Sequence, residues 1–595
     1  MRQSNKLGDF TTIPRVLAIS GLAIGIGLVG ALVAMVLLKL IGFFTNLFFY
    51  HRWSAAMVSP AANHLGGWEV LVPVVGALVI GLMARYGSER IRGHGIPEAI
   101  EAILINGSKV EPKVAILKPL SSAISIGSGG PFGAEGPIIM TGAAIGSMIA
   151  QLFRLTSTER KTLLVAGAAA GMSATFAAPV SAVLLAVELL LFEWKPRSLI
   201  PVALASVTAG AARRYLLGVG PLFPVPPHPV FIGPEGLLGC VVAGVLAGAL
   251  SALLTGAVYA AEDAFLRLPI HWMWWPALGG LTIGLGGLIF PQALGVGYDT
   301  IGALLQGDVP RNLILGILLV KSVIWSVSLG SGTSGGVLAP LLMMGGALGG
   351  IEATFLPHLG TGFWPLVSMG AILGGTMRSP FTGVIFAIEL THDVNMMLPL
   401  LLAVTIAHGF TVLTLRRSIL TEKVARRGYH LSREYSVDPL EILFVREVMR
   451  TKIVALPGAI TPTQAAETHD HIRRRQLLYP VVDRDKRLVG VITRSRLQQI
   501  LRERDERTLA ELSCQDPVVA HADEPLRLVV YRMAETGLTR MPVVERGDSR
   551  KLIGMVSLQD LLLARTRTLE AERQRERVLR IRLPFGRSTV PRGKE

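Results

Sequence analysis

Charge is scarce in this sequence. Asp, Glu, Lys and Arg together make up 17% of 595 residues, against about 25% in ordinary soluble domains. Aromatic residues are sparse too, at 6%. Cysteine is nearly absent: Cys240 lies in an apolar stretch and Cys514 in a polar one, which argues against a disulfide framework and against a thiolate metal site. The His residues show no metal-ligand spacing and no Ser/His/Asp arrangement can be drawn, so neither a metal nor an intramembrane enzyme is expected.

Apolar sequence fills the space that charge leaves. Hydrophobic residues make up 51% of the chain and the mean hydropathy is +0.51, values that belong to a multi-span membrane protein. Residues 431–595 hold 31 Lys+Arg and 23 Asp+Glu, leaving 27 and 19 for residues 1–430. The first part suits lipid and the last part suits water. The net charge of +16 is spread through both and interleaved with acids in the last, which points to membrane-facing charge and away from nucleic acid as a partner.

The run Val16–Phe44 is too long for a signal-peptide core and reads as a retained spanning helix, preceded by a cytoplasmic segment 1–15. Apolar segments recur as far as residue 415, several shorter than the roughly 20 residues a crossing needs and many broken by Gly or Pro. Interrupted helices at membrane depth leave backbone N–H and C=O groups unpaired, which lipid does not tolerate and an ion site can use. This pattern favours a transporter or channel over a receptor. A membrane part is assigned to residues 16–430. Arg416, Arg417, Lys423, Arg426 and Arg427 place its end in the cytoplasm.

Two internal repeats are visible. Gly127-Ser128-Gly129 opens a stretch ending at Pro137 and Gly330-Ser331-Gly332 one ending at Pro340, each spanning ten residues. Pro179 runs to Glu188 and Pro380 to Glu389, nine residues each, and Lys118 and Lys321 stand 203 apart. A shorter repeat lies beyond a linker at 431–444. Tyr479-Pro480-Val481-Val482-Asp483 precedes Gly490-Val491-Ile492-Thr493, and Met541-Pro542-Val543-Val544-Glu545 precedes Gly554-Met555-Val556-Ser557, which predicts a tandem of small α/β units over 445–566. The charged tail 567–595 is expected to be a frayed helix followed by disordered chain.

Three loops carry chemistry. In Gly93-His94-Gly95-Ile96-Pro97-Glu98 the glycines permit close backbone approach and Pro97 suits a first helical turn, so the helix N–H groups face back as a ready anion site. A Gly-rich turn that merely caps a helix is the competing reading. Gly133-Ala134-Glu135-Gly136-Pro137 sets one carboxylate in an apolar, Gly-rich stretch, a costly placement that points to function, against a capping Glu that faces water at an interface. Gly336-Val337-Leu338-Ala339-Pro340 offers only backbone amides and an apolar wall.

Gly133-x-Glu135-Gly136-Pro137, Lys118 seventeen residues before the Glu, and Gly336-x-x-x-Pro340 together resemble the CLC family of chloride channels and proton-coupled chloride exchangers over roughly residues 15–430. The resemblance implies an α-helical polytopic membrane protein of two inverted repeats of broken helices. It also implies a homodimer with one pore per subunit, set in the lipid bilayer of a bacterial cell membrane, that passes chloride or a related anion. It makes Glu135 the gating carboxylate, which fills the outer anion site when ionised. It assigns anion coordination to His94, Gly95, Ile96 and Pro97, to Gly133, Glu135 and Gly136, to the backbone of Val337 and Leu338, and to the position of Leu420.

Departures from the family pattern are informative. His94 stands where Ser is usual and Leu420 where Tyr is usual, so both usual side-chain donors to the central anion are replaced, and Leu338 replaces Phe. The His94 ring can also donate N–H, or it can turn away to cap its loop. Glu188 matches the first acid of the exchangers' inner pair, a candidate for the proton pathway, and Leu189 occupies the relay position. Loss of that acid favours a passive channel over an exchanger, with Glu188, Glu193 or a water chain as alternative proton carriers.

The C-terminal repeat resembles a CBS pair, an α/β domain placed in the cytoplasm. In such modules a Ser/Thr and an Asp three residues later hold an adenosine ribose. Ser557 and Asp560 fit, while the first copy has Thr493 followed by Arg496. A regulatory adenine nucleotide and a purely structural, dimer-bracing pair are both open readings. No other cofactor is implied. The rival function of another class is a membrane-bound sensor that signals through this pair.

Overall fold

The computed structural model describes residues 14–429, 440, 443–468, 476–545 and 551–573. The start of the N-terminal segment, most of the 431–444 linker and the tail beyond residue 573 lie outside the described residues. One compact unit ends at Arg427 and a second begins at Gly428.

The first unit is helical throughout. Its first eight helices are α1 (Arg15–Tyr50), α2 (Leu71–Tyr86), α3 (Ile96–Leu104), α4 (Pro112–Gly127), α5 (Glu135–Gln151), α6 (Ser157–Phe176), α7 (Pro179–Leu185, continued by a π turn to Leu191) and α8 (Pro196–Leu216). The next eight are α9 (Pro234–Leu266), α10 (Trp275–Ile289), α11 (Tyr298–Gln306), α12 (Arg311–Gly330), α13 (Leu338–Glu352), α14 (Phe363–Met377), α15 (Pro380–Thr391) and α16 (Met397–Thr414). A short helix, α17 (Ile419–Arg426), closes the unit. Five helical stretches are long and apolar enough to cross a membrane, and four shorter ones, α7, α13, α14 and α15, are apolar without that length.

The halves pack alike. In the first, α1 lies against α4, α6 and α8, α5 against α6, and α4 against α5; in the second, α9 lies against α12, α14 and α16, α13 against α14, and α12 against α13. The repeat suspected from a few motifs is therefore eight helices long. Proline starts many of these helices (Pro112, Pro179, Pro196, Pro234, Pro380), where its missing N–H costs nothing.

Two opposite faces can be traced. Arg15 pairs with Glu159 and donates to the Arg154 carbonyl, Gln151 donates to the Val110 carbonyl, and Arg427 pairs with Glu98 and Glu101 on α3. These join the start of α1, the ends of α3 and α5, and the end of α17 at one basic face, the inner one. The far end of α1 is closed by Asn46, which donates to the Ala56 carbonyl at 2.8 Å, and the 60–62 turn packs on the 291–293 turn at the outer face.

The second unit is α/β. One sheet has the order β1 (Leu456–Pro457), β2 (Leu478–Val482), β3 (Leu488–Thr493) and β4 (Cys514–Gln515); the other has β5 (Ala520–His521), β6 (Arg540–Val544) and β7 (Leu552–Ser557). Both open with a parallel pair followed by an antiparallel one, and both carry a register shift at the same place, Val481/Val482 and Val543/Val544. The copies exchange their leading segments. Val445 is buried in the core of the second copy with Leu526, Val529 and Val543, and β4, which leads into the second copy, pairs with β3 of the first.

Candidate functional site

Three glycine loops meet where α3, α5 and α13 begin. Gly133 and Gly336 exchange backbone hydrogen bonds of 3.1 and 2.8 Å, which sets the N-termini of α5 and α13 side by side. Gly93 donates to the Thr333 carbonyl at 2.9 Å, tying the α3 loop to the strand-like stretch before α13. Gly95 adopts φ 88°, a conformation that suits glycine alone, and a Cβ on Gly136 would run into the His94 carbonyl.

Lys118 fastens this junction. Fully buried on α4, its ammonium donates to the carbonyls of Ile91 (2.8 Å) and Gly93 (2.7 Å) and to Ser334 Oγ (3.1 Å). Ser334 also bonds Ser121 and Ser122, so α4, the α3 loop and the α13 loop share one polar node inside an apolar helix bundle.

Glu135 opens α5 and is fully buried. Its Oε1 accepts from the backbone N–H of Ala339 at 3.1 Å, and its Oε2 has no hydrogen-bond partner. A Cβ on Gly336 would lie 2.7 Å from Oε2 and 2.9 Å from the Gly136 nitrogen, so the glycines at 133, 136 and 336 leave room for one small group only. A carboxyl group thus sits at the two helix N-termini, where exposed N–H groups and the helix dipoles favour negative charge. The observed donor is Ala339, one residue past the Val337 and Leu338 read from the sequence. A main-chain donor leaves no side-chain signature to find.

His94 is buried at 3% exposure beside this site, with Nδ1 unpartnered. Gly95, Ile96 and Pro97 form the cap and first turn of α3, and Glu98 Oε2 accepts from the Gly95 N–H at 2.9 Å. The other Glu98 oxygen meets Lys423 Nζ at 3.1 Å and Arg427 at 3.4 Å. Both cations come from the end of the unit, since α17 packs on α3. Leu420 is buried in the first turn of α17, and Tyr259 donates to the Ile419 carbonyl at 2.5 Å. Lys423, legible in the sequence only as a cytoplasmic charge, keeps a buried carboxylate at the α3 N-terminus from standing uncompensated.

The family model described as "Voltage gated chloride channel" matches residues 75–412. The chain belongs to this family, the CLC proteins. Two CBS domains match at 445–503 and 509–567. A protein named "Putative chloride channel protein ClcB-like", from Ralstonia nicotianae, is 31% identical over 353 residues, covering 58% of this chain and 82% of the relative. "H(+)/Cl(-) exchange transporter ClcA" from Yersinia pestis bv. Antiqua is 30% identical over 342 residues, covering 54% and 69%. Among solved structures, a slow cyanobacterial Cl-/H+ antiporter superposes with a TM-score of 0.62 at 21% identity, covering 70% of this chain and 99% of that one. The fold is accordingly the CLC fold with an α/β CBS pair, in an integral membrane protein.

Within this CLC frame Glu188 has a visible structural task. Its carboxylate accepts from the N–H groups of Phe381 (3.2 Å) and Thr382 (3.0 Å) and from Thr382 Oγ1 (2.6 Å), capping α15. Glu389 does the same for α7 through Val180 N–H (2.9 Å) and Ser181 N–H (2.8 Å). The two acids that marked the repeat are reciprocal caps between its halves.

In the CBS pair the two candidate positions differ. Thr493 caps the helix Arg494–Glu503 through the Arg496 N–H at 3.3 Å. Ser557 Oγ donates to Asp560 Oδ2 at 2.6 Å, and Arg450 Nε donates to Asp560 Oδ1 at 2.8 Å. Asp560 is 7% exposed, and its carboxylate is already engaged on both oxygens.

Proposed function

We propose that this protein carries a small inorganic anion, chloride first, across the membrane as a homodimer with one pore per subunit, and that Glu135 is the gate of each pore. The observation that carries the reading is the Glu135 carboxylate held on the Ala339 N–H at the meeting point of α5 and α13. Chloride and a carboxylate oxygen compete for the same kind of place. Both are anionic acceptors, and peptide N–H groups bind either through partial charge without the grip of a full cation. When Glu135 leaves or takes up a proton, its seat becomes available to an anion, and the carboxylate on its return displaces that anion onward. Leu338 and Leu420, buried in the first turns of α13 and α17, add no side-chain donor of their own.

Proton-coupled exchange is the second reading, favoured by the names of the Yersinia relative and of the cyanobacterial structure. Leu189 at the inner relay position favours passive flow. Purified protein in liposomes under opposed chloride and proton gradients separates the two. A reversal potential that follows chloride alone supports the channel, and a proton-dependent displacement supports exchange. Glu135→Gln should abolish pH dependence and any proton movement while chloride still flows, and pH dependence equal to wild type would overturn the gating role. Absence of anion flux from wild-type protein would favour a sensor working through the CBS pair.

A further inference from the structure

The outer end of the first unit holds a cavity of about 320 Å³ that none of the three loops explains. Its wall is formed by α1, the 55–60 stretch, the end of α8 and the start of α11, and it is mostly apolar. Lys39, Arg213 and Tyr298 line it, together with the hydroxyls of Thr45, Ser59 and Thr175. Arg213 is only 8% exposed. One guanidinium nitrogen donates to the Gly218 carbonyl at 3.0 Å, and Nε has no partner. Among the described residues no carboxylate lies within ion-pair distance of it. A buried cation without a counter-charge is costly unless something else supplies the negative charge.

Tyr298 strengthens the case independently. Its hydroxyl is buried without a hydrogen-bond partner, and the residue lines both this cavity and an adjoining one of about 480 Å³. It is also the first residue of α11, a nine-residue helix entered through Gly297 at φ 78°, so the first-turn N–H groups of α11 open beside the cavity. Asp299 shares the wall, leaving Lys39 and Arg213 with a net excess of one positive charge. The Tyr298 ring packs edge-on against Phe176 at 6.5 Å.

We infer that this cavity is an anion-docking chamber at the outer mouth, in which Arg213, the Tyr298 hydroxyl and the α11 N-terminus hold a small, partly hydrated inorganic anion before Glu135 admits it. This inference rests on the transport reading above and adds a second, outer station to it. The volume fits the chemistry. It exceeds a bare halide and accommodates one with several of its waters, each taking about 30 Å³. An anion can then lose its hydration shell in two stages.

The test measures chloride dependence of flux separately from each face of oriented liposomes. Arg213→Gln should raise the half-saturating outer chloride about five-fold and leave the inner value unchanged. Arg213→Lys should fall between, and Tyr298→Phe, which removes only the hydroxyl, should raise the outer value by about two-fold. Wild-type outer affinity in folded Arg213→Gln and Tyr298→Phe proteins would overturn the chamber and leave the gate untouched. Bromide soaked into crystals of wild-type protein gives a readout independent of flux. An anomalous peak beside Arg213 and Tyr298 supports the chamber, and none there at bromide concentrations that fill the Glu135 region overturns it. Wild-type protein that passes no anion refutes the transport reading instead, and the bromide density still decides whether the chamber binds.

Discussion

Lys118 and Lys321 are both fully buried, and each donates to two carbonyls of a glycine loop, Ile91 and Gly93 in one half, Ala293 and Gly295 in the other, at 2.7 to 2.9 Å. The segment under Lys118 carries His94 and Glu98, the latter paired with Lys423 and Arg427, whereas the segment under Lys321 carries Val296 and Asp299. α5 begins with Glu135 and α13 with Leu338. Duplicated contacts hold the fold, and the residues that break the duplication are the ones the proposed transport uses. The symmetric lysines are scaffold, and the asymmetric acid and histidine carry the proposed chemistry.

The largest effect should come from the lysines. Lys118→Met removes the charged donor that the Ile91 and Gly93 carbonyls share, a loss of about 3–5 kcal/mol, read as a fall in thermal stability in detergent. Lys321→Met should cost nearly as much. A neutral Lys321→Met would break the symmetry argument. Glu188→Gln and Glu389→Gln should each cost about 1–2 kcal/mol, because each removes charge-assisted caps from the opposite half. A clear inequality between them, accompanied by loss of proton movement in Glu188→Gln alone, would give Glu188 a transport task beyond capping.

Much of this was legible because polar residues stand out in apolar sequence. Lys118, Lys321 and the Pro-to-Glu spacings mark the repeat, and Glu135 stands out as the one acid in its Gly-rich loop. The loop Gly295-Val296-Gly297-Tyr298 was not recognised as the mate of Gly93-His94-Gly95-Ile96, since only the glycines persist, and their positive φ values of 62° and 78° are conformational facts. Reciprocal capping by Glu188 and Glu389 spans about 200 residues and has no local spacing to betray it. The exchange of leading segments in the CBS pair was hidden for the same reason: Val445 looks like the start of one copy and packs in the other.

Smaller effects sharpen the comparison. His94→Ser should shift chloride-to-nitrate selectivity by a few-fold, measured as a change in reversal potential, while Val296→Ser leaves it alone. Identical behaviour of the two would remove His94 from the selectivity argument. In the C-terminal unit, Arg450→Ala should free Asp560 and tighten ATP binding by the full chain in calorimetry. Unchanged weak or absent binding would favour a structural module.

The smallest expected effect concerns Glu524. Burial raises its carboxyl pKa, but hydrogen bonds from Arg532 and the His521 N–H outweigh that and hold it below the ordinary 4.5. A lowered folded value means the stabilisation is present above pH 4.5 and fades as pH drops through the folded value. Glu524→Gln should therefore weaken hydrogen-exchange protection of the Ala520–His521 strand by about 1 kcal/mol at neutral pH, and the difference should vanish in acid.

The crossed-over lead segments of the CBS pair set a rule for how that module can respond. Because Val445 completes the far core and β4 completes the near sheet, neither copy owns all of its own parts. A protein severed between 503 and 509 would yield two incomplete pieces, each missing a stave. Any strain applied to one copy must therefore be shared by both, and the pair answers to load or ligand as one body.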